Sequence, residues 1–179
     1  MRKINAVLSA LVMIMLFVHG ILGTMNMLGA DSANNKTIAY ITLVLASLHA
    51  VIGIILTIQT LRTIHKSGAA YFRNNLLFWA RRISGFLVMI LIIFHMSALM
   101  TSSDNGLRLP VFDEFRLITQ ILFVLSLTLH VISNVKPVLI SFGIKNLRPK
   151  AGDIIFWCSI LLLAATIGFI VYYIRWMAV

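Results

Sequence analysis

The sequence predicts an all-α integral membrane protein, a five-transmembrane-helix bundle in which residues 1–179 form a single transmembrane domain. Of the 179 residues, 60% are apolar and 11% are charged, whereas a soluble domain is about half apolar and a quarter charged. Five apolar runs reach the length of about 20 residues that a membrane-spanning helix requires. The net charge of +10 comes from basic residues spread between these runs. This distribution is typical of the loops between membrane spans. It argues against a nucleic-acid partner, which would need a basic patch or stripe.

The apolar runs define the five predicted helices. In order they cover residues 4–24, 38–61, 80–101, 112–143 and 154–174. The first run follows Arg2 and Lys3 and is also compatible with a signal peptide, which would leave four spans. The fourth run contains Lys136 and Pro137. The helix therefore either stops at Val135 or continues with a kink to Gly143. We expect the longer helix, because apolar residues resume directly after Pro137.

The distribution of lysine and arginine predicts the orientation. Eleven of these residues lie in the segments on the N-terminal side, and four lie on the opposite side. The eleven are Arg2, Lys3, Arg62, Lys66, Arg73, Arg81, Arg82, Lys136, Lys145, Arg148 and Lys150, and the four are Lys36, Arg108, Arg116 and Arg175. Because basic residues concentrate on the cytoplasmic side, the N-terminus is expected in the cytoplasm and the C-terminus outside. The basic inner loop from Arg62 to Trp79 can face a soluble partner or anionic lipid headgroups.

Four of the five histidines lie within the first four predicted spans, one in each. They are His19, His49, His95 and His130. Ionisable side chains inside membrane helices are rare and face the bundle interior, so they are candidates for a functional site. His65 lies in the basic inner loop instead and is interpreted as an ordinary solvated residue.

The depths of the four histidines sort them into pairs. At a rise of about 1.5 Å per residue, His19 and His95 each lie roughly 7 Å from the span midpoint, toward the outside. His49 lies near the midplane, and His130 lies roughly 4 Å toward the inside if the fourth helix is long. Two histidines at one depth on facing helices can supply the two axial nitrogens of a haem iron. The sequence therefore predicts an outer haem on His19 and His95 and an inner haem on His49 and His130.

Glycines near these histidines favour the same interpretation. Gly20 and Gly23 follow His19, Gly53 follows His49 by one turn, and Gly85 lies ten residues before His95. Small residues let a flat macrocycle approach the helix backbone, although glycine also permits close helix packing in membranes.

Several segments around these histidines resemble the single-subunit di-haem cytochrome b anchors of succinate dehydrogenases and fumarate reductases. Leu48–Gly53 is similar to the second-helix haem segment of that family. Trp79–Gly85, followed by His95, is similar to the third-helix segment. Leu129–Asn134, which leads to Phe142–Lys145, is similar to the fourth helix. The resemblance implies five helices, two haem b groups, and the pairing of ligands between helices one and three and between helices two and four.

The resemblance also implies a role in the respiratory chain. A flavoprotein subunit and an iron–sulfur subunit would dock on the cytoplasmic face of the cell inner membrane. Electrons would pass between the iron–sulfur clusters, the haems and a membrane quinone, for which menaquinone is the expected type. The chain has no flavin motif and a single cysteine, Cys158. It therefore has no dicarboxylate active site of its own, and the direction of electron flow stays open.

Further candidate residues lie near the helix ends. Matched charges are strong in a low dielectric, so Arg81, Arg82 and Lys136 are candidates for haem-propionate contact. Ser84 is a further candidate that could hydrogen-bond a propionate or its own helix backbone. The alternative for the basic residues is that they snorkel to lipid headgroups. A quinone site near the outer haem, as the family's di-haem members favour, has Asp31, Asp104 and Arg108 as weak candidates.

Three other functions are compatible with parts of this pattern. A haem-free anchor of the same complex would keep the fold but would need fewer histidines in the spans. A transporter or channel with a histidine proton relay would be expected to carry acidic residues inside the spans, and none of the five acidic residues lies well inside one. A different transmembrane haem cytochrome, such as a quinone or ferric reductase, would differ in its partner subunits.

Overall fold

The computed structural model describes residues 1–30, 35–67, 75–99 and 112–177, and this part of the chain is helical. Each of its five helices is long and apolar enough to cross a membrane, which confirms the prediction of a five-helix chain of this type. The helices are α1 (Arg2–Met27), α2 (Asn35–Ser67), α3 (Leu76–Leu99), α4 (Glu114–Ser141) and α5 (Leu147–Met177).

The helices extend beyond most of the predicted apolar spans. The longest, α2, has 33 residues and measures about 50 Å, compared with about 30 Å for the hydrocarbon core of a bilayer. Its last turn contains His65 and Lys66, so His65 is helical and exposed, although the sequence placed it in a loop. The difference arises because hydropathy marks the stretch that avoids water, whereas helical hydrogen bonds continue into the polar region.

Helix α4 continues through Pro137 to Ser141, as the longer of the two sequence alternatives predicted. Its start is capped by Asp113, whose side chain accepts a 2.8 Å hydrogen bond from the Arg116 backbone N–H. At its end the Ile144 N–H donates to the Leu139 carbonyl oxygen at 3.1 Å, and Gly143 has a φ of 69°. This is a Schellman motif, in which glycine occupies the left-handed position at low cost.

The helices form a bundle with one close-packed half and one open half. Helix α1 packs on α2 and α5, and α4 packs on α3 and α5, while α2 and α3 touch only sparsely. The buried core lies mainly between α3, α4 and α5 and includes Phe112, Val124, Leu162 and Phe169. No described side chain of α2 is buried. Helix α2 is therefore the least buried of the five helices.

Large apolar side chains cover the outside of all five helices. Ile14 on α1, Val44 on α2, Ile93 on α3, Leu125 on α4 and Leu163 on α5 are each 58–66% exposed. Such a surface would associate in water, whereas lipid tails are as apolar as these side chains. The four histidines of the spans are all partly buried, in contrast to these apolar side chains.

Candidate functional site: two layers of paired histidines

The structure brings the four span histidines together as two pairs. The ring centres of His19 and His95 lie 6.0 Å apart, with an angle of 85° between the ring planes. Those of His49 and His130 lie 6.3 Å apart, at 73°. These are the partners that the depths in the sequence predicted. The pairs are called the His19–His95 layer and the His49–His130 layer below.

The His95 ring contacts Gln120 through its Nδ1 atom and Phe123 through one ring face. Its Nδ1 lies 2.8 Å from the side-chain Oε1 of Gln120, which is fully buried. The amide nitrogen of Gln120 faces the Phe94 carbonyl oxygen at 3.5 Å, so the amide oxygen is the atom directed at His95. Because that oxygen can only accept, Nδ1 carries the proton and Nε2 presents its lone pair. Phe123 stacks on the ring at 4.8 Å between centres.

In the other layer, serine hydroxyls take the place of the amide. Ser84 Oγ lies 3.3 Å from Nδ1 of His130, and Ser9 Oγ lies 3.4 Å from Nδ1 of His49. Each hydroxyl donates its own proton to a carbonyl of its helix, Ser84 to Arg81 at 3.3 Å and Ser9 to Asn5 at 2.8 Å. Each hydroxyl oxygen can therefore also accept a hydrogen bond from the ring beside it. In that tautomer the proton of both imidazoles would be on Nδ1 and Nε2 would be free, as in His95.

His19 differs from the other three histidines. Its Nδ1 is buried and has no hydrogen-bond partner within the described residues. Its ring is nevertheless placed beside His95. A ligand imidazole usually donates its second N–H to a neighbouring group, and His19 lacks this support in the structure.

The two layers are separated along the bundle axis. On each of three helices, one residue is a histidine of one layer and a second residue contacts a histidine of the other layer. These combinations are Ser9 with His19 on α1, Ser84 with His95 on α3, and Gln120 with His130 on α4. The two members are ten or eleven residues apart in each case, so the layers lie about 15 Å from one another. Each layer is therefore an independent site.

The spacing of the rings fits axial ligation of one iron in each layer. Two imidazoles on opposite sides of one metal ion have ring centres roughly 6.3 Å apart, since each nitrogen lies about 2.0–2.1 Å from the metal. The observed separations are 6.0 and 6.3 Å. The Nδ1 contacts of His49, His95 and His130 also leave Nε2 as the coordinating atom, which is the arrangement expected of a metal-binding histidine with a supporting neighbour.

The donor set indicates which kind of metal group fits. No group of three or more His, Cys, Asp or Glu side chains suited to a metal ion occurs among the described residues. A zinc ion needs three or four protein ligands. A haem iron receives four nitrogens from its own macrocycle and needs only the axial pair from the protein. Two-histidine layers therefore fit haem better than a bare ion.

The four glycines near the histidines have two different roles. A Cβ at Gly85 would lie 3.0 Å from Cε1 of His130, and a Cβ at Gly20 would lie 3.1 Å from the Leu161 side chain. These two glycines make room for a ring and for a neighbouring helix, and the expected room for a macrocycle is not found there. A Cβ at Gly23 or Gly53 would meet no atom within 4 Å. Each lies one turn beyond a histidine on the same helix face, so no described side chain crowds that position beside the ring.

The propionate candidates are distributed unevenly. The charge of Arg82 acts on both His49 and His130, and its guanidinium carbon lies 5.1 Å from the centre of the Phe78 ring. Arg81 donates from Nε to the Leu77 carbonyl oxygen at 3.0 Å. Lys136 is exposed, and its six-residue offset from His130 turns it about 120° around α4. Of the basic candidates, Arg82 is the one that the structure directs toward a layer.

Ser84 is fully buried, and its contact is with the His130 ring instead of a group at the membrane surface. The quinone candidates Asp31, Asp104 and Arg108 lie outside the described residues.

Sequence reasoning missed the neighbours of the rings. Gln120, Ser9 and Phe123 were not singled out, although Gln120 is a fully buried amide in an apolar helix. A signal for it was present, because a polar residue inside a membrane span is uncommon. Its depth, ten residues from His130 on α4, corresponds to the other layer.

The fold and the site define a class, a five-span helical membrane protein with two layers of paired histidines in its interior. Comparison with known proteins does not narrow this class: no family model, no curated protein and no solved structure matches the chain.

Proposed function

We propose that this protein is a transmembrane di-haem cytochrome b, in which His19 and His95 bind one haem iron and His49 and His130 bind the other. The observation that carries the proposal is the presence of two ring pairs with near-equal spacing, 6.0 and 6.3 Å, in separate layers of one bundle. A bound haem supplies one-electron transfer through its iron. The chain supplies the four ligand nitrogens and an apolar interior that keeps water away from them.

Each residue of the site has a defined task under this proposal. Gln120, Ser84 and Ser9 keep the proton on Nδ1 of their histidines, so that Nε2 is available as a ligand. Phe123 restricts rotation of the His95 ring. Arg82 places a positive charge beside the His49–His130 layer, where it can offset the negative charge of propionates.

We further propose that the protein is the membrane anchor of a succinate:quinone oxidoreductase or quinol:fumarate reductase. This step rests on the resemblance of helices two to four to such anchors and on the charge distribution. Eleven of the fifteen basic residues belong to the end with the chain's N-terminus, and that end is assigned to the cytoplasm. A flavoprotein and an iron–sulfur protein would bind there, and the haems would exchange electrons with a quinone in the cell inner membrane.

The haem part of the proposal is tested by optical spectroscopy. The protein, produced with ample haem and purified in detergent, should show the reduced-minus-oxidised bands of low-spin haem b, because both axial positions are histidine. A spectrum without haem bands would overturn the di-haem proposal and favour a haem-free anchor of the same complex.

The anchor part is tested by co-purification from the native membrane. A flavoprotein and an iron–sulfur protein should accompany the wild-type chain. The double variant Arg62→Gln/Lys66→Gln, which removes two exposed charges at the end of α2, should retain less of both. The control Lys36→Gln removes an exposed charge at the opposite end and should retain them fully. A haem-containing chain without these partners would identify another transmembrane cytochrome, such as a quinone or ferric reductase. Loss of the partners only in Lys36→Gln would mean that they bind at the opposite end and that the proposed orientation is wrong.

A further inference from the structure

We propose that Gln120 is a positioning residue that lowers the reduction potential of the haem in the His19–His95 layer by acting through His95. This inference rests on the proposed function, since it concerns a haem bound to these histidines. It assigns to this amide a part of the expected difference in reduction potential between the two layers.

The geometry separates Gln120 from the other neighbours of the rings. Its amide oxygen lies 2.8 Å from Nδ1 of His95, whereas the serine contacts of His130 and His49 measure 3.3 and 3.4 Å. Hydrogen bonds between nitrogen and oxygen are most frequent near 2.9 Å and weaken at longer distance. Gln120 is also fully buried, so water does not compete for its oxygen. Among the three side-chain contacts to these ring nitrogens, the one between His95 and Gln120 is therefore the shortest and the best shielded from water.

The surroundings hold this hydrogen bond in a fixed direction. Phe123, three residues after Gln120 on α4, stacks on the His95 ring with only 20° between the planes. Phe169 on α5 approaches the same ring edge-on, with ring centres 6.2 Å apart. The side-chain nitrogen of Gln120 donates to the Phe94 carbonyl oxygen on α3 at 3.5 Å, which favours this orientation of the amide. The ring and its acceptor are thus fixed together by three helices.

The chemical consequence concerns the lone pair on Nε2. When Nδ1–H donates to a carbonyl oxygen, electron density on the imidazole increases and the ring becomes a stronger ligand. A stronger donor stabilises the ferric iron more than the ferrous iron, so the potential falls. His19 offers no similar contribution, because its Nδ1 has no partner within the described residues. In this layer, the lowering of the reduction potential by a hydrogen bond to a ligand ring therefore depends on Gln120.

The test is a redox titration of the purified protein with two substitutions of opposite character. Gln120→Leu removes the acceptor at similar volume. It should shift the ferric–ferrous equilibrium of one haem by up to about tenfold toward ferrous, a rise of about 59 mV for a one-electron couple, and should leave the other haem unchanged. Gln120→Glu keeps an acceptor oxygen and should leave that potential at or below the wild-type value. The affected haem should be the one that is absent in His95→Ala.

A purely structural role for Gln120 gives a different pattern. In that case Gln120→Leu and Gln120→Glu would both lose the haem of the His19–His95 layer, or would shift its potential equally. Either result would show that the inference is wrong. Unchanged potentials in both variants would also overturn it. Loss of the haem in Gln120→Leu with retention in Gln120→Glu would support positioning by the acceptor. If the wild-type protein binds no haem, the proposed function fails; if it binds two haems and the variants behave alike, only the role of Gln120 fails.

Discussion

The two histidine layers have the same ligands and different surroundings. In the His19–His95 layer, one ring is held by a buried amide at 2.8 Å and the other has no partner on Nδ1. In the His49–His130 layer, both rings face serine hydroxyls at 3.3–3.4 Å and feel the charge of Arg82. Because the axial ligands would be identical, these neighbours are among the features that can make the two potentials differ. The hydrogen bond between His95 and Gln120 should lower the potential of one haem, and the charge of Arg82 should raise that of the other. The His49–His130 haem should therefore have the higher potential.

The largest expected effects come from removing the ligands one at a time. His19→Ala or His95→Ala should remove one haem or convert it to high spin, and His49→Ala or His130→Ala should do this to the other. The reason is that layers about 15 Å apart cannot exchange ligands. Absorption and electron paramagnetic resonance spectra of the variants measure the outcome.

The matched control for these substitutions is His65→Ala, which changes an exposed histidine at the end of α2. It should affect neither haem. Spectra that group His19 with His49, or that show a requirement for His65, would contradict the pairing.

The next effect concerns the space beside the ligands. Gly53→Leu should lower haem occupancy of the His49–His130 layer several-fold while the protein stays folded. A Cβ at Gly53 would meet no atom of the described residues within 4 Å, whereas the longer leucine side chain would compete with a macrocycle bound beside His49. The haem content of the purified variant is the measurement. Gly152→Leu is the control, since Gly152 is equally unobstructed and lies on exposed surface. Equal haem content in both variants would show that the macrocycle does not reach Gly53.

The charge beside one layer predicts a shift in potential. Arg82→Gln should lower the potential of the His49–His130 haem by roughly tens of millivolts, because positive charge favours the reduced iron and a tenfold change in the equilibrium is about 59 mV. The haem of the other layer should be unaffected. Arg81→Gln serves as control at the same depth, since the Arg81 side chain bonds to its own helix at Leu77. A larger shift in the control would assign the electrostatic role to Arg81.

The smallest expected effect is that of a serine. Ser84→Ala should raise the potential of the His49–His130 haem by less than Gln120→Leu raises that of the other haem, because the contact to His130 is longer at 3.3 Å. Redox titration of both variants gives the comparison. Ser97→Ala, which changes an exposed serine of α3 whose hydroxyl donates to the Phe94 carbonyl oxygen of its own helix, should have no effect. A larger shift for Ser84→Ala than for Gln120→Leu would mean that hydrogen-bond length does not determine how strongly each residue changes the potential.

Much of the fold could be predicted because the membrane imposes simple requirements on a sequence. An apolar run of about 20 residues has few alternatives to a spanning helix, so the five helices were evident. The continuation of α4 through Pro137 was predictable because apolar residues follow it. The true ends of α2 were not, since helical hydrogen bonds in the polar region leave no hydropathy signal.

The candidate site could be predicted only along the helix axis. Depth follows from residue number, and this was sufficient to match His19 with His95 and His49 with His130. The rotation and packing of the helices are not encoded in depth. For this reason Gln120 was missed, and Gly85 was assigned to a macrocycle although a side chain there would meet the His130 ring.

The most direct test of the central claim is the number of haem b groups per chain. The measurement is a pyridine haemochrome assay on the purified protein, with the chain quantified by amino-acid analysis. Two independent pairs of axial histidines predict a ratio of about two. The double variant His95→Ala/His130→Ala, which removes one ligand from each layer, should fall toward zero. A wild-type ratio of about one would mean that only one layer binds haem. A wild-type ratio of zero, in protein supplied with haem, would contradict the account.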